Sequence, residues 1–231
     1  MKARLESAFS REAFMEALGG FGYESYPSRR PGGEIEWLRW SGSSSGATHV
    51  MQLHFGATWN AYSMRAGVFN QDAVNIVRSA LPRIEEFLHP ALRDPKNKSL
   101  YSAPCLTSFD VGRAMNWNML RLPQYASRAT WLEDLQGDTV NFLKARFWSV
   151  RDISGIESLL LSEAAPFEWM VTNAVLRVAE LIALTRLEGG DPLRLERFLG
   201  THDRQVRRET GKGFSEVFAK LHSVVVKEFT N

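Results

Sequence analysis

Two histidines, a glycine–serine tract, one cysteine and a glycine–lysine turn are the residues whose types and spacing could perform chemistry. His49 and His54 belong to the stretch HVMQLHFGATWNAYSMRAGVFN, from His49 to Asn70. A shared metal would need both imidazoles on one side of the backbone, and an odd separation along a strand sends them to opposite faces. His89, His202 and His222 sit alone on expected helices or helix ends, with no histidine at i+4 and no HExxH pattern. The tract Gly42-Ser43-Ser44-Ser45-Gly46 matches the GxSxG of a hydrolase nucleophile elbow, which works because a strand-to-helix turn projects the serine toward an oxyanion hole. Here a strand follows instead of a helix, so the tract reads as a hairpin loop. A phosphate loop at Gly211-Lys212-Gly213 would need glycine where Val206 stands and Ser or Thr where Gly213 stands.

Cys105 is the only cysteine, which excludes an intrachain disulfide and a cysteine-rich metal cage. A reactive thiolate needs a cation or a helix N-terminus beside it, and the sequence places neither there, so Cys105 reads as a small buried apolar residue. Arg204, Arg207 and Arg208 share one helical face, but Glu196, Asp203 and Glu209 interrupt the basic run. That pattern favours a solvated, salt-bridged face over a nucleic-acid footprint. No catalytic residue, cofactor or metal site is expected from these elements, and the chain is not expected to be an enzyme.

What remains is an aromatic surplus. Seven tryptophans and fourteen phenylalanines exceed what a core of this size needs. Trp37 and Trp40 are an odd step apart on an expected strand, so at least one leaves the helix-covered side. Trp59 falls at a hairpin turn, where side chains face solvent. Large rings beside arginine and amide groups have the composition of a binding hot spot. Trp37, Gln52, His54, Trp59 and Arg65 are therefore the expected partner-binding residues. The competing expectation is that the helical half covers this second face and turns its aromatics into core. Two other functions compete: a small-molecule enzyme using Asp110, Arg113 and His54, and a weak nucleic-acid binder using the Arg204 to Lys212 face.

The elements that would position these residues follow from periodicity. Phe9, Ala13, Phe14, Ala17 and Leu18 have helical spacing, stopped by Gly19-Gly20. GEIEWLRWSG reads as a strand. Met51, Leu53 and Phe55 alternate with Val50, Gln52 and His54, and Tyr62, Met64, Ala66 and Val68 alternate with Ala61, Ser63, Arg65 and Gly67. Both arms read as half-buried antiparallel strands, one side on a core and the other wet or partner-facing. Asn70 is the expected N-cap of a helix whose stripe is Ala73, Val74, Val77, Leu81, Ile84 and Leu88, with a kink or break at Pro82. CLTSFDVG and NWNMLRLP are weaker strand signals. After Pro123 the pattern becomes helical, with capping boxes expected at Thr130/Glu133 and Ser154/Glu157. A helix follows Pro166 through Phe167, Met170, Val171, Ala174, Val178, Leu181 and Ile182, and ends at Gly189-Gly190. Asp191-Pro192 opens the next helix, and the last buries Phe214, Val217, Phe218, Leu221, Val224 and Val225. The expected fold is α+β: an antiparallel sheet of three to five strands with flanking helices, then a helical C-terminal half. The sheet-containing part spans 1–123 and the helical part 124–231, packed together.

The 231 residues carry a formal charge of +2, with 44% hydrophobic and 23% charged residues, an ordinary globular composition with no strong field for nucleic acid. The N-terminus lacks the apolar run of a secretory signal, and no segment reaches the about 18 uncharged apolar residues of a membrane span, so a cytoplasmic protein is expected.

The order of an N-terminal helix, the GFGYE turn around Phe21 to Glu24, a strand, HVMQLHFG, YSMRAGVF and a helix resembles a group of bacterial domains that occur beside polymorphic toxins. The resemblance covers about the first 90 residues and, more loosely, TWLEDL and VAELIALTRLEGGDPLRLERFL. It implies an immunity-type protein that binds and blocks a cognate toxin, with no cofactor. The near-neutral charge argues against an acidic mimic of nucleic acid.

Overall fold

At the centre of the sheet is a hairpin. The computed structural model describes residues 16, 18–25, 35–40, 42, 46–56, 61–88, 105–107, 109–110, 120–121, 140–161, 174–199 and 203–229. Strands β3 (Thr48–Gly56) and β4 (Ala61–Phe69) pair antiparallel without interruption, from Thr48 opposite Phe69 to Gly56 opposite Ala61. Strand β2 (Ile35–Trp40) pairs with the other edge of β3, and β1 (Tyr23–Ser25) pairs with β2. Two short strands, β5 (Phe109–Asp110) and β6 (Leu120–Arg121), both pair with β4. The unbroken β3–β4 register keeps the period of two intact, so His49 and His54 occupy opposite faces, as their spacing requires.

Helix α1 (Gln71–Ile84) begins directly after β4 because Asn70 caps it: its side-chain oxygen accepts from the amides of Asp72 and Ala73, both at 3.0 Å. The Asn70 amide group also donates to Gly46 O at 3.1 Å, tying the helix start to the loop before β3. The whole expected stripe from Ala73 to Leu88 is buried. Pro82 does not break the helix at its own position. The α-helix continues for two more residues before tightening into a 3₁₀ turn at Glu85–Phe87, so the ladder bond that Pro82 cannot donate is lost only in the last turn.

The second half contributes α2 (Val140–Arg146), α3 (Ile153–Leu161), α4 (Ala174–Leu187), α5 (Leu195–Leu199), α6 (Asp203–Thr210) and α7 (Phe214–Lys227). The capping box expected at Ser154 and Glu157 is not the one used. Asp152 accepts from the Gly155 amide at 2.8 Å, leaving Ser154 exposed and Glu157 turned inward. Helix α4 is buried on every side from Ala174 to Thr185, since α1, α3 and α7 all pack on it. It ends where expected: Gly189 takes φ 75°, the left-handed conformation that a side chain would resist. Asp191 then caps the 3₁₀ turn Pro192–Arg194 through the Leu193 amide. Helix α1, from the first part of the chain, thus packs on α4 and α7 of the second, and their buried side chains join one core. The expected cap at Thr130/Glu133, and Phe167, Met170 and Val171, lie outside the described residues. No helix among the described residues is long and apolar enough to cross a membrane.

Candidate partner-docking site

Antiparallel register assembles the site. Trp37 of β2 stands opposite Gln52 of β3, Gln52 opposite Arg65 of β4, and Arg65 opposite Asp110 of β5. Residues directly opposite share a face, so these four form one row across four strands, about 14 Å long at the usual strand spacing. His54 lies on the same face two residues along, between Ile35 and Ser63. Four of the five residues singled out from the sequence therefore share one face of the sheet. Trp59, and Arg113 of the enzyme alternative, lie outside the described residues.

Toward the Thr48 end the same face is closed. Gly67 stands opposite Val50, and both are buried. A Cβ on Gly67 would come within 2.8 Å of Cys105 Sγ and 3.1 Å of Thr107 O, so the 105–107 segment lies directly on β4. One step on, Gln52 and Arg65 are half-buried.

The opposite face is closed at the same end by the helical half. Trp40 stacks on Trp148 with ring centroids 5.3 Å apart and meets His49 edge-on at 5.0 Å. His49 Nε2 donates to Val150 O at 2.8 Å, and burial lowers its pKa. Trp148 Nε1 donates to the Tyr23 hydroxyl at 3.2 Å, while burial pushes that phenol up to about 12. Arg151 lies over the Trp40 ring, 5.2 Å from its centroid. The expectation that each hairpin arm keeps one wet face is thus overturned between Thr48 and Met51. The Trp148–Arg151 turn covers one side and the 105–107 segment the other.

Around the 105–107 segment lies a polar cluster that sequence reasoning missed. Glu180 of α4 and Thr107 are fully buried. Burial pushes the Glu180 carboxyl up to about 7, and the Thr107 hydroxyl offsets a smaller part although the pair falls short of hydrogen-bond geometry. Cys105 is buried beside them. Desolvation and the Glu180 charge raise its thiol pKa well above the ordinary range, against weaker opposing effects of Arg78 and Arg65, and the residue is buried as expected. Arg177, also buried, donates to Leu160 O, and desolvation lowers its pKa to about 9. The one available signal was a charged pair, Arg177 and Glu180, inside the otherwise apolar run AVLRVAELIAL. A second buried carboxylate, Glu157, is fully served: it accepts from Thr185 and receives Arg194 at 2.7 and 2.8 Å.

The basic face expected to be solvated is so. Arg204, Arg207 and Arg208 are exposed, with Arg207 paired to Asp203 at 2.5 Å. Gly211 and Gly213 flank the turn between α6 and α7, with Phe214 N donating to Asp203 at 2.8 Å. No group of three or more metal-ligating side chains is found among the described residues. No family model matches the chain, and neither a curated protein nor a solved structure shows significant similarity to it.

Proposed function

We propose that this chain is a protein-binding module of the immunity type, which neutralises a cognate protein toxin by docking it on the Trp37–Gln52–Arg65 face. The observation that carries the reading is the register. It sets Trp37, Gln52, Arg65 and Asp110 opposite one another on consecutive strands, with Gln52 and Arg65 half-buried beside the closed stretch at Val50 and Gly67. Such a row offers ring area for burial and directed donors and acceptors for orientation, the composition of an interface centre. The resemblance in element order to domains found beside toxins supports the choice of partner. The enzyme alternative is less well served. His54 and Asp110 share the face but are separated by two strand spacings and one step along the strand, about 12 Å between backbones. Proton transfer wants groups about 3 Å apart. Co-expression with the product of the neighbouring gene tests the reading. The wild-type chain should co-purify with that product and protect cells from it, whereas Trp37→Ala should lose both while staying folded. Failure of the wild type to bind or protect would overturn the reading.

A further inference from the structure

Glu180 occupies the middle of α4 at 0% exposure, and neither carboxyl oxygen has a hydrogen-bond partner among the described residues; the same is true of Thr107 Oγ1. No ion pair reaches Glu180 there. The elements packed around it account for the charges nearby. The 105–107 segment brings the Cys105 thiol, on which the Glu180 charge acts directly, and Arg78 of α1 and Arg65 of β4 act on that same thiol. Arg177, one turn earlier on α4, is directed to Leu160 O of α3. Glu209 of α6 is engaged at the start of α4 through the Ala174 amide, and Glu157 of α3 at its end through Thr185 and Arg194. Helix α7 contributes a buried face of Phe214, Val217, Phe218, Leu221, Val224 and Val225, with no titratable group in it.

We propose that Glu180 is a proton-operated latch for the 105–107 segment. In its neutral form the carboxyl fits a closed interior with modest cost. In its ionised form it is a buried charge that no ion pair among the described residues offsets, which is far more expensive to keep buried. Release of the segment from Gly67 gives that charge access to solvent, so losing the proton to water favours the released state. The sign follows from linkage. Burial raises the folded carboxyl above its ordinary value, so the closed state is favoured at acid pH and weakens as pH rises from the ordinary carboxylate range toward about 7.

Cys105 reports on the latch, being the chain's only cysteine and 5% exposed in the closed state. Its alkylation rate is measured at about pH 6 and about pH 8.5, each divided by the rate of the urea-unfolded chain at the same pH to remove the thiol's own titration. The normalised rate of the wild type should rise about tenfold across that interval, while Glu180→Gln should stay within about twofold. Thr107→Val, which removes the hydroxyl that favours the charged form, should move the rise to higher pH and decides the matter if Glu180→Gln does not fold. Equal profiles in wild type and Glu180→Gln, no rise in the wild type, or an unmoved rise in Thr107→Val would overturn the proposal.

Discussion

From its Thr48 end to its middle the β3–β4 hairpin keeps one register and one alternation, yet the surroundings of the two stretches differ. At the Thr48 end, His49 and Val50 point to opposite faces and both are buried, one against the Trp148–Arg151 turn and the other beneath the 105–107 segment. One step on, Gln52 and Arg65 are half-buried. Strand alternation alone cannot distinguish these two stretches, because both read as apolar/polar repeats. What separates them is the arrival of chain distant in sequence, from Cys105 on one side and from Val150 on the other. The surroundings of a strand are thus set by where distant chain is laid on it.

Predictions follow from trying to erase that difference. The largest effect belongs to Gly67→Val. Added methyls would collide with Cys105 and the Thr107 carbonyl, and urea unfolding should show a loss of about 3 kcal/mol. Removing the cover on the other side by Trp148→Ala deletes the stack on Trp40 and the donor to Tyr23, and should lower stability by about 2 kcal/mol in the same assay, less than a fully buried ring because Trp148 is half-buried. At the half-buried middle of the hairpin, Gln52→Ala should change stability by under about 0.5 kcal/mol but weaken partner binding measurably by calorimetry.

The buried glutamates sharpen the contrast between served and unserved polar groups. Glu157→Gln should destabilise, since it leaves Arg194 and Thr185 without their anionic partner. Glu180→Gln should instead stabilise at about pH 8, by an amount on the order of 2 kcal/mol. That gain should shrink as pH falls below about 7 and vanish below the ordinary carboxylate range, where both folded and unfolded chains carry the proton. A denaturation midpoint followed against pH checks both signs.

Much of the fold was legible because local chemistry and global packing agree. Asn70 caps α1, its stripe is buried residue for residue, Gly189 closes α4, and Asp191-Pro192 opens the next turn. Legibility failed where a local signal had a nearby rival. Ser154 and Glu157 have capping-box spacing, but Asp152 reaches the amides first and Glu157 serves Thr185 and Arg194 instead. For the site, alternation sufficed to put Trp37, Gln52, His54 and Arg65 on one face once strand order was known, and the row with Asp110 needed the register. The burial of His49 and the cluster at Glu180, Thr107 and Cys105 depend on contacts between residues far apart in sequence, which no local pattern encodes.

The central claim is that the Trp37–Gln52–Arg65 row is a docking centre. Calorimetric titration of the wild-type chain, Trp37→Ala and Arg65→Ala with the product of the neighbouring gene tests it most directly. The account predicts tight binding by the wild type and a loss of about 2 kcal/mol or more, some thirtyfold or greater in Kd, for each variant at unchanged secondary structure. Wild-type affinity retained in both variants, or no binding by the wild type, would contradict it.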